Sequence, residues 1–188
     1  MKKRLSGFIG SLVILGAVIL PLAAVAMNVG GTELVKVGTG TRTKLGLSLY
    51  TNTLYVPAAL KAADGTAIVT ADQSMSAVLK VTSVLVDSEK FNKAVRDGFK
   101  QSASAGFRTD KSEFYLGLFK GIEVKKGCVF QHDYDASKKS MTVTYTSPEG
   151  AKRVLGTVPS AQFKSALFAM WIGPKPLSEG LKSGMLGK

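Results

Sequence analysis

From Ser140 to Ser147 the chain alternates without a break: Met141, Val143 and Tyr145 fall on one side, Thr142, Thr144 and Thr146 on the other. A period of two is the signature of a strand with one dry face and one wet face. Pro148, Glu149 and Gly150 then supply turn chemistry, and Lys152 to Thr157 returns as a second strand, so the segment reads as an antiparallel hairpin. A one-sided sheet must be covered by something. Thr41 to Val56, rich in β-branched, aromatic and Leu residues, adds further strand, as do Ala77 to Val86 and Cys128 to Tyr134.

The cover comes from helical periodicity between these strands. After the capping candidates Asp87 and Ser88, the residues Phe91, Ala94, Val95, Gly98 and Phe99 recur at helix spacing, while Lys90, Lys93, Arg96 and Lys100 form a solvated basic stripe. Phe114, Leu118 and Ile122 mark a shorter helix. Ser160 caps a third, in which Phe163, Ala166, Leu167, Met170 and Trp171 form a stripe that must be buried, and Pro176 opens a last one with Leu177, Leu181 and Met185. Antiparallel strands with helices collected on one face give an α+β fold. No repeat or low-complexity linker divides residues 27–188, which read as one domain.

Residues 1–26 stand apart. Lys2, Lys3 and Arg4 precede an uncharged apolar run from Phe8 to Leu20, then Pro21, then the small-x-small triplet Ala24, Val25, Ala26. This is the pattern of a secretory signal cleaved after Ala26, which sends the protein out of the cytoplasm, to the periplasm or beyond. No cysteine follows the apolar run to carry a lipid. The alternative is an uncleaved anchor, because Phe8 to Ala26 is just long enough to span a bilayer. The whole chain carries 25 basic and 13 acidic side chains; without the leader the balance is 22 to 13, a charge of +9. Such a surface suits contact with an anionic membrane or an acidic partner. Export disfavours nucleic acid.

Composition restricts the chemistry. A single Cys, Cys128, cannot close an intramolecular disulfide, and with a single His, His132, it offers no zinc-ligand cluster. Any Ser-His-Asp site would have to be built on His132. That histidine alternates with Cys128, Phe130 and Tyr134, which reads as a structural role, and Cys128 as a small buried thiol. No metal or cofactor is implied.

The segments TRTKLGLSLYTNTLYVPAAL from Thr41, FNKAVRDGFKQS from Phe91 and FKSALFAMWIGPKPLSEGLKSGMLG from Phe163 resemble, in order and spacing, chalcone-isomerase-like proteins. With the leader they look like the bacterial exported branch of that family rather than the plant flavonoid enzymes. The resemblance implies a large antiparallel sheet, helices packed on one face, and an apolar cleft between the layers. It also implies where catalysis would sit. Arg42 falls at the arginine that steers the reacting group in the active enzymes. Their strand threonine falls at Tyr50, or at the neighbouring Thr51 if the register slips by one. Their helix tyrosine and asparagine fall at Phe91 and Gly98, and their Thr/Ser and Met pair at Met170 and Trp171. Phe91 and Gly98 offer no hydrogen bond to a ketone oxygen, so cyclisation loses its donors.

What remains is a binding constellation. On one straight strand Arg42 and Tyr50 lie about 26 Å apart. A reversal centred on Gly46 brings them opposite each other, within about 5.5 Å at Cβ. A guanidinium and a phenol side by side can chelate one carboxylate. The resemblance extends to fatty-acid-binding relatives that use such a pair, with Phe91, Phe99, Met170 and Trp171 as candidates to line the ligand's tail. The expectation is therefore a non-catalytic carrier of a small amphipathic acid, with a weak isomerase of chalcone type as the alternative. Without the resemblance, an Arg beside a Tyr on a strand is an ordinary exposed pair, and the Phe and Trp stripes are core.

Overall fold

The computed structural model describes residues 27–188; the leader and its cleavage site lie outside the described residues. Seven antiparallel strands pair in the order in which they occur: β1 (Met27–Val29), β2 (Thr32–Lys44), β3 (Leu47–Val56), β4 (Met75–Val81), β5 (Val129–Asp135), β6 (Ser140–Thr146) and β7 (Lys152–Val158). The helices are α1 (Gly65–Thr70), α2 (Ser88–Ser104), α3 (Ser112–Gly117), α4 (Ala161–Ile172) and α5 (Glu179–Met185). The α+β architecture expected from the sequence is present. The sheet curls enough that Gly30, in the β1–β2 turn, packs its backbone against the Asp135 carboxylate at the end of β5.

The alternation in β6 becomes a buried row. Register pairs Leu54 with Ala77, Ala77 with His132, and His132 with Val143, so these four share the covered face, and all are buried. Its neighbour runs Asn52, Leu79, Phe130, Tyr145. The opposite face carries threonines such as Thr39 and Thr53, whose hydroxyls meet at 2.9 Å.

Helix α4 sits at the centre of the helical layer. Ser160 accepts a hydrogen bond from the Phe163 N–H, as its capping role requires. The expected stripe on α4 proves too narrow, because every residue from Phe163 to Ile172 except Ser165 is buried. Phe163, Leu167, Phe168, Trp171 and Ile172 together contribute on the order of 10 kcal/mol of gross apolar burial, at about 1.5–3 kcal/mol each. Asp87 caps α2 through the Lys90 N–H.

Three boundaries differ from expectation. Strand β4 ends at Val81 rather than Val86, because the Thr82 and Ser83 amides turn aside to the Leu49 carbonyl. The helix expected through Phe114, Leu118 and Ile122 is the shorter α3, which buries Tyr115 and Leu116 and leaves Phe114 exposed. The last helix opens at Ser178, whose hydroxyl accepts from Leu181 N–H, and not at Pro176.

Helix α5 lies unusually close to the sheet. A Cβ on Gly40 would stand 1.9 Å from the Leu181 carbonyl oxygen, and one on Gly38 would stand 2.3 Å from that of Gly184. Only hydrogen at these positions lets the helix backbone rest on β2. The contact seats α5 at the Arg42 end of the sheet.

Candidate functional site

The chain reverses at Leu45 and Gly46, both with positive φ (51° and 77°), so the β2–β3 connection is a two-residue turn. Arg42 pairs directly with Tyr50 across it, and both side chains belong to the covered face of the sheet, in line with Gly40 and Asn52. Both are half-buried. The Arg42 guanidinium donates to the Thr43 carbonyl at 3.3 Å, and among the described residues no carboxylate lies within salt-bridge distance of it. Burial pushes the Tyr50 hydroxyl up to about 12, opposed in part by the positive charge of Arg42 and by the indole of Trp171. Tyr50 is thus a hydrogen-bond donor at any physiological pH.

Below Tyr50 lies an apolar recess, walled by Leu79 from the sheet, Phe91 and Val95 from α2, and Met170 and Trp171 from α4. Its free volume is about 30 Å³, room for one water rather than for an acyl chain. Phe91 is fully engaged, stacked on Phe130 at 5.0 Å between ring centroids and edge-on to Phe119 at 5.1 Å.

The other expected residues fall as follows. Thr51 pairs with Thr41 and Lys80 and points to the opposite face, so it does not reach the recess; the one-residue slip that would bring it there does not occur. Gly98 does not line the recess either. It is the point of contact between α2 and α4, where an added Cβ would sit 2.9 Å from the Met170 sulfur. Phe99 lies deeper, against Tyr115 and Phe163.

Three polar groups escaped the sequence reading. Asn52, two residues beyond Tyr50 on the same face, is fully buried, and neither of its amide atoms has a hydrogen-bond partner among the described residues. Tyr115 lines the recess with its ring and bonds His132 Nε2 through its hydroxyl at 2.7 Å. Burial lowers His132 to about 4 and raises Tyr115 well above the ordinary phenol value, so both stay neutral. Nδ1 of His132 has no hydrogen-bond partner among the described residues. Lys164, on α4, is 2 % exposed and donates to the carbonyls of Val69 and Ala71 at 2.9 and 2.6 Å. Among the described residues no three His, Cys, Asp or Glu side chains gather as a metal-ligand set.

Comparison with known proteins turns this arrangement into a family. The family model described as chalcone isomerase-like matches residues 21–187. The chain belongs to the chalcone isomerase-like family. Its fold matches the crystal structure of a fatty-acid binding protein of Arabidopsis thaliana with a TM-score of 0.59 at 17% identity, over 81% of this chain and 86% of that one. At that identity the likeness speaks for the fold alone. Among curated proteins none matches by sequence. Within the chalcone isomerase-like fold, Tyr50 of the hairpin and the α2–α4 seam wall the recess, and Arg42 stands beside Tyr50 on the neighbouring strand.

Proposed function

We propose that this protein is a non-catalytic member of its family that holds a small amphipathic carboxylate, fatty-acid-like, with Arg42 and Tyr50 on the head group. The observation that carries the reading is the direct pairing of a guanidinium free of carboxylates, among the described residues, with a hydroxyl held in its protonated form at the edge of an apolar recess. The guanidinium supplies charge-assisted bonds and the phenol a further one.

The volume of the recess adds a condition. Pockets for small ligands run to about 300–1,000 Å³, so binding at a recess of about 30 Å³ requires its walls to move. Met170, unbranched and adaptable, and Leu177 are the walls that give way, while Phe91 is held by two other rings. Affinity then falls by the fraction of molecules open at any time. The absence of catalysis rests on Phe91 and Gly98, which put a hydrocarbon ring and a bare backbone where the active enzymes have donors. Purified protein incubated with a chalcone should leave the conjugated absorbance unchanged relative to buffer.

Trp171, the chain's single tryptophan, borders the recess and reports on it directly. Titration with dodecanoate should change its fluorescence saturably, and Arg42→Ala should weaken the midpoint by tens of fold, from ~1.5–3 kcal/mol for a charged hydrogen bond. A midpoint unaltered in Arg42→Ala, or no saturable change in the unsubstituted protein, rejects the proposal. We also place the mature protein outside the cytoplasm, processed after Ala26; the intact mass of protein isolated from the host's envelope tests this, and retention of residues 1–26 refutes it.

A further inference from the structure

The two residues of the β2–β3 turn include a leucine in a conformation that leucine disfavours. Leu45 has φ of 51° and is 94 % exposed. A two-residue turn with positive φ at both positions favours Asn-Gly or Asp-Gly, because a side chain with Cβ pays steric energy there and a short polar one recovers it. An apolar side chain at the tip therefore costs stability through its backbone and gains nothing through burial. Nothing inside the fold requires it.

Leu45 is not alone. Leu47 opens β3 half exposed, and the β4–α2 loop presents Val84 and Leu85, 79 % and 49 % exposed. The Thr82 and Ser83 amides both donate to the Leu49 carbonyl, and Ser48 and Thr82 meet through their hydroxyls at 3.2 Å. These bonds tie loop to hairpin, so four exposed apolar side chains project from the same end of the sheet. Cations lie to one side of them: Lys90 donates to the Leu85 carbonyl and is paired with Asp87. Lys44 flanks the tip, and the charges of Lys93, Lys100 and Lys44 all act on the Asp97 carboxyl, which brings the first turn of the hairpin and the basic stripe of α2 to one locality. Lys93 is paired with Asp97, but among the described residues Arg42, Lys44 and Lys100 have no carboxylate at salt-bridge distance.

An apolar tip with the uncompensated cations Lys44 and Lys100 on its α2 side has the chemistry of one partner class in particular. We propose that the β2–β3 hairpin tip and the β4–α2 loop dock on an anionic lipid bilayer, with Leu45, Leu47, Val84 and Leu85 entering the interface and Lys44 and Lys100 meeting the head groups. A protein partner or a second copy would need a broad complementary surface around the leucines, and the neighbouring lysines oppose a like-charged copy. Among the described residues no helix is long and apolar enough to cross a membrane; the contact proposed for the hairpin tip is one of surface. The inference does not depend on the carboxylate reading. The two meet in one place, since Arg42 lies two residues from Lys44 on the docked strand.

The test is co-sedimentation with vesicles of phosphatidylglycerol and phosphatidylcholine, and of phosphatidylcholine alone, using residues 27–188, which hold every strand and helix described here. The chain should sediment with the anionic vesicles, weakly with the neutral ones, and less as salt rises through the range where screening shortens to about 8 Å. Leu45→Asp with Val84→Asp should lower vesicle binding at least tenfold with the circular dichroism unchanged. Lys44→Glu with Lys100→Glu should flatten the salt dependence. Leu45→Asn gives a readout that a structural role cannot imitate, because it should raise the melting temperature while weakening vesicle binding. Binding equal in the Leu45→Asp, Val84→Asp variant, equal binding to both vesicle types, or no sedimentation at all overturns the proposal. So does a concentration-dependent dimer that the same double variant abolishes, which would assign the patch to a second copy. Dodecanoate titration run in parallel separates this result from the fate of the ligand site.

Discussion

Lys164 makes a sharp prediction about alkaline pH. Its ammonium is held between the carbonyls of Val69 and Ala71, at the end of α1, and lies 5.4 Å from the centre of the Tyr134 ring. Burial is the largest influence and lowers its pKa from 10.5 to about 8; the nearby carboxylate of Asp72 opposes this in part. A lysine whose folded pKa lies below its unfolded value loses its proton first in the folded state. Between pH 8 and 10.5 the unfolded chain therefore binds more protons than the folded one, and stability rises with pH. The charged form is the costly one. At 1.36 kcal/mol per pKa unit, moving from pH 7 to pH 10 relieves about 2–3 kcal/mol. The neutral amine still donates to both carbonyls, so relief does not cost the hydrogen bonds.

The assay is urea unfolding of the unsubstituted protein and of Lys164→Met at pH 7, 8, 9 and 10. Taking the difference between the two removes every other titrating group that is far enough away to act independently. That matters above pH 10, because burial raises Tyr50 and Tyr145 to about 12; Tyr134, raised likewise, lies against Lys164 and stays in the difference. Raised phenols act in the opposite sense: the unfolded chain ionises first, and stability falls as pH climbs from 10 toward 12. The unsubstituted protein should thus pass through a stability maximum near pH 10, while its advantage over Lys164→Met grows by about 2 kcal/mol across pH 7–10. A difference that stays flat over that interval would refute the argument that the ammonium is desolvated.

Three further substitutions read the fold directly. Gly40→Ala places a methyl group 1.9 Å from the Leu181 carbonyl oxygen and should lift α5, costing up to about 3–5 kcal/mol if the burial of Leu181 and Met185 is lost; a shift in denaturation midpoint below about 0.5 kcal/mol contradicts that close approach. Tyr115→Phe removes the partner of His132 Nε2 and leaves a neutral imidazole unbonded in the core, for about 1–3 kcal/mol of destabilisation by the same measurement. Asn52→Leu replaces a buried amide with no partner among the described residues by an apolar side chain of similar size and should stabilise by about 1–3 kcal/mol, roughly 2–10 °C in Tm. A loss of stability in Asn52→Leu would mean that the amide is satisfied in the folded protein.

What the sequence made legible shares a physical character. The Ser140–Ser147 alternation, the turn at Gly46, and the caps Asp87 and Ser160 are local: a residue and its near neighbours settle the geometry, and the structure has each of them. The pairing of Arg42 with Tyr50 needs more than the turn: the two-residue reversal pairs Lys44 with Leu47 and Thr43 with Ser48, and a one-residue irregularity between Arg42 and Thr43 then sets Tyr50, not Leu49, opposite Arg42. Val84, Leu85 and Val86 misled for the same reason. They have strand-forming side chains, but the neighbouring amides are taken by β3, and two of the three remain exposed.

Lys164 and Asn52 were illegible because their surroundings arrive from far along the chain. A lysine between Phe163 and Ser165 reads as the wet side of a helix until α1, some 95 residues earlier in sequence, lays its last carbonyls over it. An asparagine between two threonines reads as the outer face of a strand until α5 descends on Gly38 and Gly40 beside it. The recess obeys the same rule. Residue types predicted its walls, since Tyr50, Phe91, Met170 and Trp171 do border it, but its volume depends on how closely α2 meets α4, and that is decided at Gly98, where the backbone meets the Met170 sulfur. A methyl group there would strike Met170 and force it to rearrange. By omitting a side chain, Gly98 lets the two helices close and so limits the volume of the recess.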